Sequence, residues 1–287
     1  MKITDTIFSI EFENLKDFKF PVGKMIGLKI EIDDTPYEFL IHLKQNSDKI
    51  ICMASDAMVN PQNVDRTQPF FNRWRWADEI TDSVIYFNDP TLYLSYDLTA
   101  GWGIGFKDNH YLETVALIIQ EILNNLNLEN EDILFYGCSA GGFMSLMLAT
   151  LVKDSYAVSD VSQLNLRFYD KIHYDNLLTY CFPDMNEDEV LEKYSHRLSV
   201  IDMIKKQKYT PKETLICDFS YLKDITRNYL PFFRELNEIS FDESENKIQI
   251  IIHGRNIGHK PLEKPKTLKI LNNFFKLTYD DWNSVLK

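Results

Sequence analysis

The sequence has no apolar run approaching the roughly 18 consecutive residues that a membrane-spanning helix requires, no CxxC pair and no glycine- or serine-rich linker. It is also short of basic charge, with 31 lysines and arginines against 43 aspartates and glutamates and a formal net charge of −12. Such a chain lacks the positive field that would hold a phosphate backbone or an anionic bilayer, so neither nucleic acid nor membrane insertion is expected. The opening residues Met1-Lys2-Ile3-Thr4-Asp5-Thr6 do not run from a basic patch into an apolar stretch, as a secretory signal would. Six histidines, His42, His110, His173, His196, His253 and His259, form no H-x-x-x-H pair, and none stands beside a cysteine, so no metal site is expected.

Four cysteines, Cys52, Cys138, Cys181 and Cys217, are scattered, three of them in apolar sequence. They read as buried thiols of a reducing compartment, which together with the missing signal predicts a soluble, cytoplasmic protein. With 287 residues, 45% of them hydrophobic, the chain is long enough to bury a large core. Oligomeric state is not encoded in any pattern here.

Two regimes of patterning divide the chain. Residues 1–48 read as β-structure: Thr6–Phe12 alternates, Gly27–Ile32 alternates again, and after the turn signal Asp33-Asp34-Thr35-Pro36 the segment Tyr37–Leu43 reads as the returning strand of a hairpin. From residue 49 to 287 short, continuous apolar strands alternate with helical segments, the signature of a mostly parallel sheet covered on both faces. The predicted strands are Ile50–Met53, Val84–Phe87, Ile133–Tyr136, Tyr156–Val158, Thr214–Cys217 and Ile248–Ile252. Leu112, Val115, Ala116, Ile119, Ile122, Leu123 and Leu126 lie on one helical face behind Asp108 as a candidate N-cap. Residues 161–212 interrupt the alternation with helical patches at Glu187–Tyr194 and Ser199–Lys206, and read as a helical, cap-like insertion.

The chemistry concentrates in Ile133-Leu134-Phe135-Tyr136-Gly137-Cys138-Ser139-Ala140-Gly141-Gly142-Phe143-Met144, where a β-like run meets G-x-S-x-G and continues as an apolar helix, Phe143–Leu151. A serine on that sharp strand-to-helix turn is lifted clear of the sheet, as in the α/β-hydrolase fold, which makes Ser139 the candidate nucleophile. The N–H of Ala140 and the positive helix end would face an oxyanion. The general base is expected after the last strand, where His259 is preferred to His253. An orienting acid is expected after the preceding strand, where Asp224, in the loop, is preferred and Asp218, at the strand end, stays open beside it. A second oxyanion donor is expected from the backbone of Ala54-Ser55-Asp56, with Ser55 as the candidate; an inward-pointing Asp56 carboxylate would repel the oxyanion.

Arginine and aromatic groups gather in Phe70-Phe71-Asn72-Arg73-Trp74-Arg75-Trp76, where Arg73 and Trp74 are candidates for gripping a sugar or an anionic acyl donor. A structural ion pair for Arg73 and core packing for Trp74 remain open beside that reading. The segment Ala100-Gly101-Trp102-Gly103-Ile104-Gly105 is a weak match to a dinucleotide fingerprint and reads as a flexible loop at the site mouth, with Trp102 a third substrate-binding candidate.

These motifs together resemble a known family, the α/β-hydrolase-like proteins of bacterial surface-glycan systems, which include capsular polysaccharide O-acetyltransferases and the glycan-acetylating component of accessory secretion systems. The resemblance covers roughly residues 50 to 275 and rests on Phe71-Asn72-Arg73-Trp74-Arg75-Trp76, Asp89-Pro90-Thr91-Leu92, Gly101-Trp102, Phe135–Gly142 and Gly258-His259-Lys260-Pro261. It implies the nucleophile, acid and base roles for Ser139, Asp224 and His259. Relatives tend to carry a His-Gly pair in the oxyanion loop, where this chain has Ala54-Ser55-Asp56. The expected activity is esterase or deacylase chemistry on a small ester or acylated glycan. O-acetyl transfer in surface polysaccharide or glycoprotein biosynthesis is the alternative, and a catalytically silent glycan-binding protein is a third. No cofactor is expected; an acetyl donor such as acetyl-CoA enters only if the reaction is transfer.

Overall fold

A computed structural model describes residues 4, 6–58, 61–239, 248–254 and 258–276. Among the described residues the frame is a nine-stranded sheet in the order β1-β2-β3-β5-β4-β6-β7-β8-β9. The strands are β1 (Ile7–Ile10), β2 (Met25–Ile32), β3 (Thr35–His42), β4 (Ile50–Ala54), β5 (Ser83–Phe87), β6 (Ile133–Cys138), β7 (Tyr156–Asp160), β8 (Lys212–Asp218) and β9 (Ile248–His253). From β4 to β9 every pairing is parallel; β3 is antiparallel to both β2 and β5. The β2–β3 hairpin turns on Asp33 and Asp34, both at positive φ, the two-residue geometry that follows strand twist and that aspartate tolerates. Thr6–Phe12 contributes only β1, which pairs parallel with β2, because from Phe12 to Asp17 the chain tightens into a 3-10 turn that buries Leu15.

The period of two along the central strands explains the apolar runs. Ile50, Cys52 and Ala54 of β4 and Ile133 and Phe135 of β6 enter one core, while Ile51, Met53, Leu134 and Tyr136 enter a second on the opposite face. The first core is closed by helices α1 (Tyr111–Asn125) and α2 (Ala140–Leu151). Burial of each large aliphatic or aromatic side chain there stabilises by about 1.5–3 kcal/mol. Helix α2 is buried from Ala140 to Thr150, and its Ser145 and Thr150 hydroxyls donate to the Gly141 and Leu146 carbonyls, so neither hydroxyl is stranded. All four cysteines are buried thiols. The N-cap of α1 is His110, not Asp108: the Asp108 carboxylate is drawn outward by Lys193 and the Tyr194 hydroxyl.

The 161–212 segment folds as α3 (Lys171–Cys181), α4 (Glu187–Leu198) and α5 (Val200–Gln207). Arg197 pins α4 to the body by donating to the carbonyls of Lys107 and Asp108 at 2.6 Å each. After β8 come a single turn, α6 (Leu222–Asp224), a π-helical turn (Ile225–Tyr229) and α7 (Leu230–Asn237); α8 (Lys264–Leu271) packs against the second core. Among the described residues no helix is long and apolar enough to cross a membrane.

Candidate active site

Strand β6 ends at the centre of the sheet, and Ser139 turns the chain into α2 with φ 51° and ψ −118°. A non-glycine residue at positive φ is costly, by about 1–3 kcal/mol, and persists only where its surroundings over-determine it. They do so here. The Ser139 N–H donates to the Asp160 carbonyl of β7 at 3.0 Å, and a Cβ on Gly137 would overlap the Gly141 backbone, so a tighter turn is open to glycine alone. The Ala140 N–H, at the first position of α2, has no acceptor within its own helix.

The Ser139 hydroxyl lies 2.9 Å from His259 Nε2, and His259 Nδ1 lies 2.6 Å from Asp224 Oδ2. With Nδ1–H donated to the carboxylate, Nε2 is left to accept the serine proton. Neither partner is held by its own loop alone. The Asp160 carboxylate accepts the Leu262 N–H at 2.6 Å and ties the His259 loop to the end of β7. Asp224 sits buried in the α6 turn rather than in a loop, at the start of the π-helical turn, a local widening frequent at functional sites. Asp218 and His253 face each other across β8 and β9 at 4.0 Å, and Asp218 accepts the Ser220 N–H and hydroxyl at 3.0 and 2.5 Å.

A residue that sequence reasoning missed stands in the same cluster. Gln163 Nε2 lies 3.1 Å from Ser139 Oγ and 3.5 Å from His259 Nε2, while its Oε1 accepts the Trp102 indole N–H at 3.2 Å. No local motif marks it; the one signal was its place just beyond the strand next to the G-x-S-x-G strand.

The loop carrying Trp102 is buried and clamped rather than flexible. The Asp89 carboxylate accepts the N–H groups of Thr91 and Gly103, the Thr91 hydroxyl accepts that of Gly105, and Trp102 itself is held at φ 51°. Burial pushes the Asp89 carboxyl up despite those donors. The Trp102 and Tyr169 rings meet edge to face, at a centroid distance of 5.6 Å.

The segment after β4 also reaches the turn. The Ala54 carbonyl would stand 2.8 Å from a Cβ on Gly141, which brings residues 54–56 against the first turn of α2. The Ser55 hydroxyl donates to the Phe70 carbonyl and accepts the Asn72 N–H, at 2.9 and 3.2 Å. Asp56 is compensated: one oxygen takes Arg73 Nη2 at 2.7 Å, the other the Cys138 N–H at 3.3 Å. The same Arg73 nitrogen contacts Cys138 Sγ at 2.9 Å, and its guanidinium lies over the Trp76 and Tyr136 rings. Trp74 packs against the second core, with Arg75 over its ring. Burial, with Asp56 close by, holds the Cys138 thiol well above its ordinary range.

No family model matches the chain, and no curated protein matches it in sequence. Solved structures do. The capsule O-acetyltransferase of Neisseria meningitidis serogroup A superposes with a TM-score of 0.60 at 17% identity, over 90% of this chain and 96% of that one. Acetyl xylan esterase 1 from Thermoanaerobacterium sp. JW/SL YS485 gives 0.58 at 12% identity, over 92% of each chain. The glycosylation-associated Gap123 complex of Streptococcus agalactiae gives 0.57 at 13% identity, over 86% of this chain and 45% of that one. This chain has the α/β-hydrolase fold.

Proposed function

We propose that this protein is a serine-nucleophile acyl-transfer enzyme, an esterase or deacylase acting on a small ester or an acylated glycan. The observation that carries the reading is the unbroken chain of contacts Ser139 Oγ to His259 Nε2 and His259 Nδ1 to Asp224, at 2.9 and 2.6 Å. Ser139 attacks the ester carbonyl while its proton passes to His259 Nε2, and Asp224 holds the imidazole's orientation and stabilises the imidazolium. The carbonyl electron pair moves onto an oxyanion that accepts the Ala140 N–H and a backbone N–H of the Ala54–Asp56 loop. One such donor is worth about 10²–10³-fold in rate. The tetrahedral centre collapses, the alcohol leaves with the His259 proton, and the acyl group stays on Ser139. A second hydroxyl then repeats the cycle in reverse.

Water as that second hydroxyl makes an esterase; a sugar hydroxyl makes an O-acetyltransferase. The transferase reading is favoured by the likeness, over nearly all of both chains, to a capsule O-acetyltransferase that is also solved with CoA bound. In that case acetyl-CoA is the donor substrate.

Intact-mass spectrometry after incubation with a fluorophosphonate, and separately with p-nitrophenyl acetate, tests the proposal. A covalent adduct on the native protein that is lost in Ser139→Ala supports it; folded native protein without an adduct leaves a silent glycan-binding protein instead. Free CoA released from acetyl-CoA only when a glycan acceptor is present would select transfer.

A further inference from the structure

The side chain of Gln163 is not needed to complete the chain Ser139–His259–Asp224, yet it is buried against two of its members. Its orientation is chemically determined. The Trp102 indole nitrogen can only donate, so the amide must turn its oxygen towards Trp102 and its NH₂ towards Ser139 and His259. Gln163 therefore offers the reacting atoms donors and no acceptor.

Contacts on both sides maintain this placement against backbone strain. Directly after β7, Val161 stands at φ 45°, a position that a β-branched residue rarely takes, and its N–H is tied to the Ile216 carbonyl at 2.9 Å. The next residue, Ser162, lies so close to α2 that a Cβ on Gly142 would overlap its hydroxyl. On the other side, Asp89 and Thr91 clamp the loop that presents Trp102.

We propose that Gln163 is a further catalytic residue, and that its donor-only amide, fixed by Trp102 as a positioning residue, selects oxygen over nitrogen as the atom that leaves and enters beside His259. This rests on the reading of Ser139 as nucleophile. The departing atom of an ester takes the His259 proton on one lone pair and keeps another to accept from Gln163 Nε2. The nitrogen of an amide has one lone pair, which the proton consumes, and its remaining N–H then faces the Gln163 N–H with nothing to accept either. The same count holds for deacylation. A hydroxyl gives its proton to His259 Nε2, attacks the acyl carbon with one lone pair and accepts from Gln163 with the other, whereas an amine spends its single pair on the attack. Every bond broken and proton moved is that of ordinary acyl transfer, and no co-reactant is added.

The test compares native protein, Gln163→Met, Gln163→Glu and Trp102→Phe in kcat, KM and pH profile on p-nitrophenyl acetate, and in turnover of the matching anilide. Gln163→Met keeps the shape without the donors and should lower kcat on the ester about 10²-fold, with KM within about twofold and a smaller ester-to-amide preference. Gln163→Glu places a carboxylate beside the imidazole and should move the acid limb of the profile to higher pH. Trp102→Phe frees the amide to rotate and should lower kcat in the same direction by less. Folded Gln163→Met with ester kcat within about threefold of native overturns the inference. If that variant does not fold, an unchanged kcat in Trp102→Phe and an unmoved acid limb in Gln163→Glu overturn it. Native protein that forms no Ser139 adduct brings down the reading of Ser139, and the inference with it; an adduct with unaltered variants brings down the inference alone.

Discussion

Arg73 Nη2 lies 2.7 Å from Asp56 Oδ2, and the other oxygen of that carboxylate accepts the Cys138 N–H, so the ion pair props the backbone one residue before Ser139. Both side chains are largely buried, 12% and 17% exposed, and removal of one leaves a charge with little water to solvate it. Arg73→Leu should therefore lower unfolding stability by about 3–5 kcal/mol in urea titration. Arg73→Leu combined with Asp56→Asn should recover part of that loss; a double variant no more stable than the single one would show that the charge pairing is not what Arg73 contributes.

Gly142 is where α2 and the Ser162–Gln163 segment touch. Gly142→Ala places a methyl group against Ser162, and overpacking of this kind costs about 1–3 kcal/mol. Ester turnover should fall together with stability, because the displaced segment carries Gln163. Ser162→Gly introduced into Gly142→Ala removes the overlapping atoms and should restore melting temperature and turnover together.

The two carboxylates that the sequence leaves open can be separated by isosteric change. Asp224→Asn should retain the fold by circular dichroism and lower kcat by about 10⁴-fold, since the amide no longer fixes the imidazole tautomer. Asp218→Asn should instead lower stability, through its hydrogen bonds to Ser220, and leave kcat within a few-fold of native. The opposite ranking of kcat would make Asp218 the orienting acid.

Glu213 predicts a pH effect on stability unconnected with the site. Burial in β8, with no hydrogen-bond partner for either oxygen among the described residues, pushes its carboxyl up to about 8. An unfolded glutamate titrates at about 4.3. Between these values the native state holds a proton that the unfolded state has released, so stability is full below the lower value and falls as pH rises towards about 8. Glu213→Gln should flatten that decline and raise stability at neutral pH. Urea titrations from pH 5 to 8 check this, and parallel slopes for the two proteins would contradict it.

The central strands were legible because a strand buried on both faces leaves a continuous apolar run, and the predicted segments fall within β4 to β9 with no end more than two residues short. Helix α3 was not legible: it buries only Tyr174, Leu177 and Cys181, too few apolar positions for a periodic pattern. The parallel pairing of β1 with β2 was hidden as well, since alternation states that a strand has two faces and says nothing of its neighbour. The chain position of Asp108 predicts a cap, whereas the partners that decide its orientation, Lys193 and Tyr194, come from α4.

By itself the sequence determined the alternation of strands and helices, the turn at Ser139 and the order in which nucleophile, acids and histidines occur along the chain. Those properties follow from local sterics and from the periodicity of apolar residues. Tertiary structure alone decided that Asp224 meets His259, that Arg73 neutralises Asp56 and that Trp102 turns the Gln163 amide towards Ser139. Each of those contacts joins segments that are far apart in the chain, and the distance between them is set by how strands and helices pack, which no local pattern of residues records.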